Sequence, residues 1–248
     1  MIKYEVRRGT GILTLNRPEK RNALHPDLVK AIKGQLIDSA ADESIKVLII
    51  TGEGKDFCAG ADLAYLDKMK DYSSVENEKD SRDLAELFLQ IYNFPKPEIA
   101  AVNGAAIAGG CGLASVCDFI VAHPDDSKFG YTEVKIGFLP AIVSIFLIRK
   151  IGEGNASQLL LSAGLINGKR GYEINLVNYL SYKVLDTAIE VSDQLLKNSA
   201  VSIAETKKMI RAISRMSIES AVEYCIGLNT ISRSSQDFKE GLEKFLDK

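Results

Sequence analysis

The sequence predicts an α/β fold on three observations. Short β-branched runs alternate with helical segments through the first half, each run closes in a glycine-rich turn, and beyond about residue 150 only helical periodicity remains. Ile2–Arg7 and Ile12–Leu15 alternate in polarity around Gly9 and Gly11 and predict a hairpin. In Asp27–Asp42, Leu28, Ala31, Ile32 and Leu36 fall at helical spacing, with Pro26 and Asp27 as the start signal. Val47–Thr51, closed by Gly52, and Glu98–Val102, closed by Asn103-Gly104, predict buried strands. Helices are expected to follow them, one from Leu63 with Asp62 as its cap and one over Ala114–Cys117. Between these two strand–turn–helix units, Lys68–Asp83 is polar and charged with few apolar anchors, which predicts a solvated surface loop, with a lid as the functional alternative. Leu185–Lys197, Val201–Arg215 and Ser217–Ile231 predict helices whose apolar faces pack on their own domain or on a neighbouring subunit.

A chain of 248 residues with 46% hydrophobic side chains is long enough for one large core. The net charge of −2, with Lys and Arg scattered, leaves no basic stripe for nucleic acid. The longest apolar run, Leu139–Ile148, is broken by Ser144 and is shorter than the roughly 18 residues of a spanning helix, so no membrane insertion is expected. MIKYEVRRGTGILTLNRP has neither a signal-peptide apolar region nor an acid-poor presequence, which predicts a cytoplasmic protein. Cys58, Cys111, Cys117 and Cys225 form no CxxC pair and are expected as buried reduced thiols. His25 in LHPD and His123 in HPDD read as surface turn residues without ligand-spaced partners, so no metal site is expected.

Two glycine-rich turns carry the chemical signal. In the first, Gly52 to Leu63, the small residues at 59–61 let another molecule approach the backbone and leave the Ala61 N–H free. In the second, Asn103 to Leu113, Gly109 offers an N–H at a helix start, where negative charge is stabilised. Neither turn fits a phosphate-binding or dinucleotide fingerprint. Two backbone donors converging on one oxygen are what a thioester carbonyl needs as it becomes an enolate.

LNRPEKRNAL (Leu15–Leu24), FCAGADL (Phe57–Leu63), PKPEIAAVNGAAIAGGCGLA (Pro95–Ala114) and FGYTEVKIGFLP (Phe129–Pro140) follow one another in the order found in the enoyl-CoA hydratase/isomerase (crotonase) superfamily, which the chain resembles over nearly its whole length. The resemblance implies a spiral of ββα units over 1–190 and a helical trimerisation region over 191–248, assembled as a homotrimer or a hexamer made of two trimers. It implies coenzyme A as part of the substrate, no separate cofactor, and an oxyanion hole formed by the N–H groups of Ala61 and Gly109. It also implies Lys20 and Arg21 near the CoA phosphates, the backbone of Ala23, Ala59 and Leu63 around the adenine, Asp62 and Gly110 in the turns that line the pocket, and Phe245 near the nucleotide. Enoyl-CoA and methylglutaconyl-CoA hydratases are the most similar members.

Glu133, in YTEVKIGF, is the expected general acid/base. Ile136, Phe138 and Leu139 follow it and are expected to keep water from its carboxylate, raising its pKa. Hydratases that this chain resembles carry a second glutamate where Gly112 stands. Syn addition of water then falls to one carboxylate, with Tyr131, or a water it holds, as the candidate substitute. A 3-enoyl to 2-enoyl isomerase needs only one base. Pro140–Ile145 carries bulkier residues than the glycine-rich turn of many relatives, and Leu139 and its neighbours are expected to reshape the acyl pocket. Hydration of a 2-enoyl-CoA is the first expectation. Isomerisation is the alternative, and a degenerate acyl-CoA-binding protein is the third.

Overall fold

The structure, a computed structural model, describes residues 1–246. The chain runs β1 (Ile2–Arg7), β2 (Thr10–Leu15), α1 (Pro26–Ala41), β3 (Val47–Gly52), α2 (Leu63–Met69), α3 (Ser74–Tyr92), β4 (Glu98–Val102), β5 (Ala105–Ile107) and α4 (Gly109–Val116). It continues through β6 (Phe119–Ala122), β7 (Lys128–Gly130), α5 (Ala141–Ser162), β8 (Ile166–Asn167), α6 (Gly168–Glu173), β9 (Tyr179–Leu180), α7 (Val184–Leu195), α8 (Ala200–Ile213), α9 (Ile218–Ser234) and α10 (Gln236–Leu246). β1 and β2 form the expected hairpin, and β2, β3, β4, β6 and β9 then pair in parallel in one sheet. A smaller sheet, β5-β7-β8, lies beside it, and a bridge from Cys58 to Ala106 extends it by one more segment. After each of β3, β4 and β6 the chain therefore crosses to the smaller sheet, at Cys58, β5 and β7, before α2, α4 and α5.

Side-chain alternation sorts the core. Leu13, Leu15, Leu48, Ile50, Ala100, Val102, Ile120 and Ala122 face the main core under α1, α3, α4 and α5. Ile12, Val47, Ile49, Ile99, Ala101 and Val121 face the other way, where Val184, Ala188 and Val191 of α7 cover them. The expected division at residue 190 falls inside α7, which packs on the sheet, so the core continues to the end of that helix.

Three expectations change. Lys68–Asp83 is mostly helical: Ser73 Oγ accepts from the Glu76 N–H while the Glu76 carboxylate accepts from the Ser73 N–H, a capping box that starts α3. The helix expected at Ala114 begins at Gly109, and two-residue strands β8 and β9 occur beyond residue 150.

Beyond α7 the chain is fastened by a buried charge cluster. Lys207 of α8 contacts Glu98, reaches Asp118 at 2.7 Å and donates to the Lys96 carbonyl at 2.7 Å. Arg211 donates to Asp118 at 2.9 Å and lies 4.2 Å over the Tyr92 ring. Burial, and then the neighbouring Asp118 carboxylate, push Glu98 well above the usual carboxylate range, and its Oε1 has no partner. Among the described residues no side chain of α9 or α10 is buried, and Ile218, Ile226, Ile231, Phe238, Leu242 and Leu246 are exposed.

Candidate active site

The first glycine turn is gripped at both ends by the segment Arg17–Leu24. Asn22, wholly buried at φ 54°, accepts the Arg17 N–H at 2.9 Å and donates to the Glu53 and Asp56 carbonyls at 3.0 and 2.8 Å. At the other end, the Leu24 N–H donates to Gly60 O at 2.7 Å and the Asp62 N–H donates to Leu24 O at 3.0 Å. In such a parallel bridge the middle residue's own N–H points away from the partner strand. Ala61 is that residue, and among the described residues its N–H meets no backbone acceptor.

Cys58 pairs with β5, its N–H donating to Ala105 O and its carbonyl accepting from Ile107 N–H, both at 2.9 Å, which brings the second turn alongside. The approach is close enough to require glycines. A Cβ on Gly110 would lie 2.0 Å from Cys58 O. A Cβ on Gly60, at φ +86°, would lie 2.8 Å from Ile107 O and 3.5 Å from Gly109 N. Ala108 holds φ 51° and ψ −123°, a strained conformation for a residue with a Cβ, and its N–H donates to Gly130 O at 2.8 Å. That kink starts α4 at Gly109, whose N–H has no acceptor within the helix. The two donors thus stand on adjoining turns, Ala61 just before α2 and Gly109 at the start of α4, an arrangement suited to one developing oxyanion.

Glu133 opens a short 3-10 turn, Glu133–Ile136, after β7. It is 8% exposed, and its Oε2 is buried without a partner. Burial raises its pKa, opposed only by its own backbone N–H. Ile136, Phe138 and Leu139 do not provide that burial: all three are largely exposed, because the 3-10 turn and the left-handed Gly137 carry the chain outward after Glu133. A buried, orphaned carboxylate that a substrate proton would satisfy is the expected state of a general base.

The remaining site residues divide into those fixed in the protein and those left open. Asp62 caps α2 through the Ala64 N–H at 3.0 Å and pairs with Arg17 at 2.9 Å, so its carboxylate is engaged with the protein and does not face substrate. Tyr131 is fully buried and its hydroxyl bonds Ser115 Oγ at 3.0 Å, so it cannot stand in for a second carboxylate against substrate. Arg21 is held bidentate by Asp56 at 2.8 and 3.1 Å, which neutralises the charge expected to meet phosphate. Lys20 is exposed in the same turn, Ala23 is buried and Ala59 is half-buried, its N–H donating to Arg21 O. Leu63, Leu139 and Phe245 are 79%, 71% and 75% exposed, which leaves them for a ligand or another copy of the chain and rules out a core role for Phe245.

Gly112 is buried on α4, and a Cβ there would meet Val143 Cγ1 at 2.3 Å and Phe88 Cζ at 3.3 Å. Val143 of α5 therefore occupies the place where a side chain at 112 would begin. Arg17, Asn22, Ala108 and Val143 shape the site without having been assigned to it from sequence. Arg17 and Asn22 sit in the LNRPEKRNAL motif, but their partners lie tens of residues away. A recess of about 510 Å³ along the outer sheet edge by Lys3, Thr14, Thr51, Glu53 and Leu185 contains neither Glu133 nor the two N–H donors. Among the described residues no His, Cys, Asp and Glu group could hold a metal, and no helix is long and apolar enough to cross a membrane.

A family model described as enoyl-CoA hydratase/isomerase matches residues 5–248. A Thermus thermophilus protein, provisionally named an enoyl-CoA hydratase, is 38% identical over 239 residues, covering 96% of this chain and 94% of its own. The 2,3-dehydroadipyl-CoA hydratase of Escherichia coli is 33% identical over 240 residues, 96% of this chain and 92% of that one. The crystal structure of an enoyl-CoA hydratase from Shewanella pealeana superposes with a TM-score of 0.95 at 26% identity, covering 99% of this chain and 93% of that one.

Proposed function

Because the chain belongs to the enoyl-CoA hydratase/isomerase family and has its crotonase fold, we propose that it adds water reversibly to a 2-enoyl-CoA, with straight or branched acyl chains as candidates. Ala61 and Gly109 N–H groups hold the thioester oxygen. Glu133 takes a proton from water as the oxygen bonds to C3, electrons move onto the thioester oxygen, and the same carboxylic acid then protonates C2. The observation that carries this reading is the orphaned, buried Glu133 Oε2, in a chain whose two free N–H donors stand on adjoining turns. Relatives named as hydratases support the choice of reaction.

Isomerisation of a 3-enoyl-CoA is the second reading, and the Gly112–Val143 packing favours it. With Val143 in that space, Glu133 is the one carboxylate supplied, and moving a proton from C2 to C4 requires no second. Purified protein incubated separately with a 2-enoyl-CoA and a 3-enoyl-CoA distinguishes them. Gain of one water from the first supports hydration, whereas an unchanged mass with a shifted double bond from the second supports isomerisation. Binding without either product would leave an acyl-CoA-binding protein. The exposed apolar residues of α9 and α10 support a homotrimer, or two trimers paired, which light scattering would measure.

A further inference from the structure

Arg17 is 9% exposed, and its guanidinium makes two bonds to two chain segments: Nη1 donates to Ala23 O at 2.8 Å and Nη2 donates to Asp62 Oδ2 at 2.9 Å. Ala23 and Asp62 flank the bridge between Leu24 and Ala61. One side chain therefore spans the two segments whose relative register aims the Ala61 N–H. Asp62 cannot hold that register alone, since its other oxygen is committed to the Ala64 N–H at the start of α2. The backbone bonds of the bridge number two, Leu24 N–H to Gly60 O and Asp62 N–H to Leu24 O. The other ties between the segments, Ala59 N–H to Arg21 O and those of the Arg21 and Asn22 side chains, lie on the N-terminal side of Gly60, so Arg17 is the side-chain tie that reaches beyond Ala61.

We propose that Arg17 is a positioning residue for the first oxyanion donor: by tying Ala23 to Asp62 it holds the Ala61 N–H on the thioester oxygen, without touching substrate itself. This rests on the acyl-CoA reading of the site. The two acceptors are met by two different nitrogens of one planar guanidinium, whereas a lysine ammonium presents all its donors from a single atom on a flexible stem and does not reproduce that fork. Gly109 and Glu133 lie on other elements, at the start of α4 and after β7, and Arg17 bonds neither.

The test is Arg17→Lys, with Asp62→Asn as a second variant that keeps a capping oxygen and removes the charge partner. Each is first checked for native circular dichroism and oligomeric state. Removal of one oxyanion donor costs about 100- to 1,000-fold in kcat, and misplacement should cost part of that, about 10- to 100-fold. KM for the acyl-CoA and the acidic limb of the pH profile, which reports Glu133, should stay within about twofold. The second readout is the vibrational frequency of the thioester carbonyl of a bound saturated acyl-CoA, which needs no turnover. Wild type should lower that frequency relative to free ligand, and both variants should lose part of the shift. Wild-type kcat and an unchanged carbonyl shift in two folded variants would overturn the assignment, as would a loss confined to KM. If wild type itself binds acyl-CoA and shows no carbonyl shift, the oxyanion reading fails, and the role of Arg17 falls with it. Should Arg17→Lys not fold, Asp62→Asn alone decides by the same two readouts.

Discussion

Replacing Gly112 by alanine tests the packing that excludes a second acid–base group. The new Cβ would lie 2.3 Å from Val143 Cγ1 and 2.9 Å from Val143 Cβ, where carbon atoms rest at about 3.5–4.0 Å. Overpacking of this kind costs about 1–3 kcal/mol, and the overlap of more than about 1 Å puts it near the upper end. Alanine gains about 1 kcal/mol over glycine in a helix, so the net loss should be about 2 kcal/mol. Val143→Ala removes two buried methyl groups at about 0.8 kcal/mol each, with a further cavity cost, again about 2 kcal/mol. In the double variant the Cγ1 overlap is gone, the remaining 2.9 Å approach to the Cβ at 143 is met by a small shift, and the helix gain is kept, so the loss should be near 1 kcal/mol and the coupling about 3 kcal/mol. Urea unfolding of the four proteins at one fixed concentration measures this. Additivity within about 0.5 kcal/mol would refute the contact, because residues that touch do not behave independently.

Other consequences follow from the buried charges and thiols. Glu133, with its pKa raised by burial, must be ionised to act as base, so kcat/KM should fall with decreasing pH along a limb above the ordinary glutamate range; a limb within that range would contradict its burial. A raised folded-state pKa means the native protein holds this proton more tightly than the unfolded chain. That contribution is present below the unfolded pKa and is lost as pH rises through the folded one, so Glu133→Gln should raise Tm at pH 8 and less at pH 5. Lys207→Met leaves Glu98 and Asp118 without their shared cation and should cost about 3–5 kcal/mol, measured by urea unfolding; a loss below about 1 kcal/mol would show the cluster to be dispensable. Burial pushes the Cys58 and Cys111 thiols up to about 12 and raises Cys117 as well, so iodoacetamide on the native protein should label Cys225 alone by mass spectrometry.

Much of the site was legible in the sequence because it is written in backbone requirements. Gly60 and Gly110 sit where strands approach too closely for a Cβ, and short-range spacing is enough to mark Ala61 and Gly109 beside them. The α/β alternation was legible for the same reason, each strand being a β-branched run closed by a turn. Contacts formed across long sequence separations were not. Nothing local marks Arg17 until Asp62 is beside it, and Tyr131 reads as a site hydroxyl until Ser115 takes its hydrogen bond. Ile136, Phe138 and Leu139 read as a cover for Glu133, yet local backbone geometry turns them outward. The capping box at Ser73 and Glu76 was readable in principle, but the charge of the segment outweighed it, although an exposed helix tolerates such charge through pairs like Arg82 with Glu78.

The central claim, that one buried carboxylate moves the C2 proton of an acyl-CoA held by two backbone donors, is tested most directly by following C2 deuteration in heavy water. Wild type and Glu133→Gln would be compared on a 2-enoyl-CoA, with nuclear magnetic resonance reading the label. The account predicts one deuterium at C2 with wild type, and a rate about 100- to 10,000-fold lower with Glu133→Gln at near-wild-type acyl-CoA affinity. Deuteration by Glu133→Gln at the wild-type rate would contradict it.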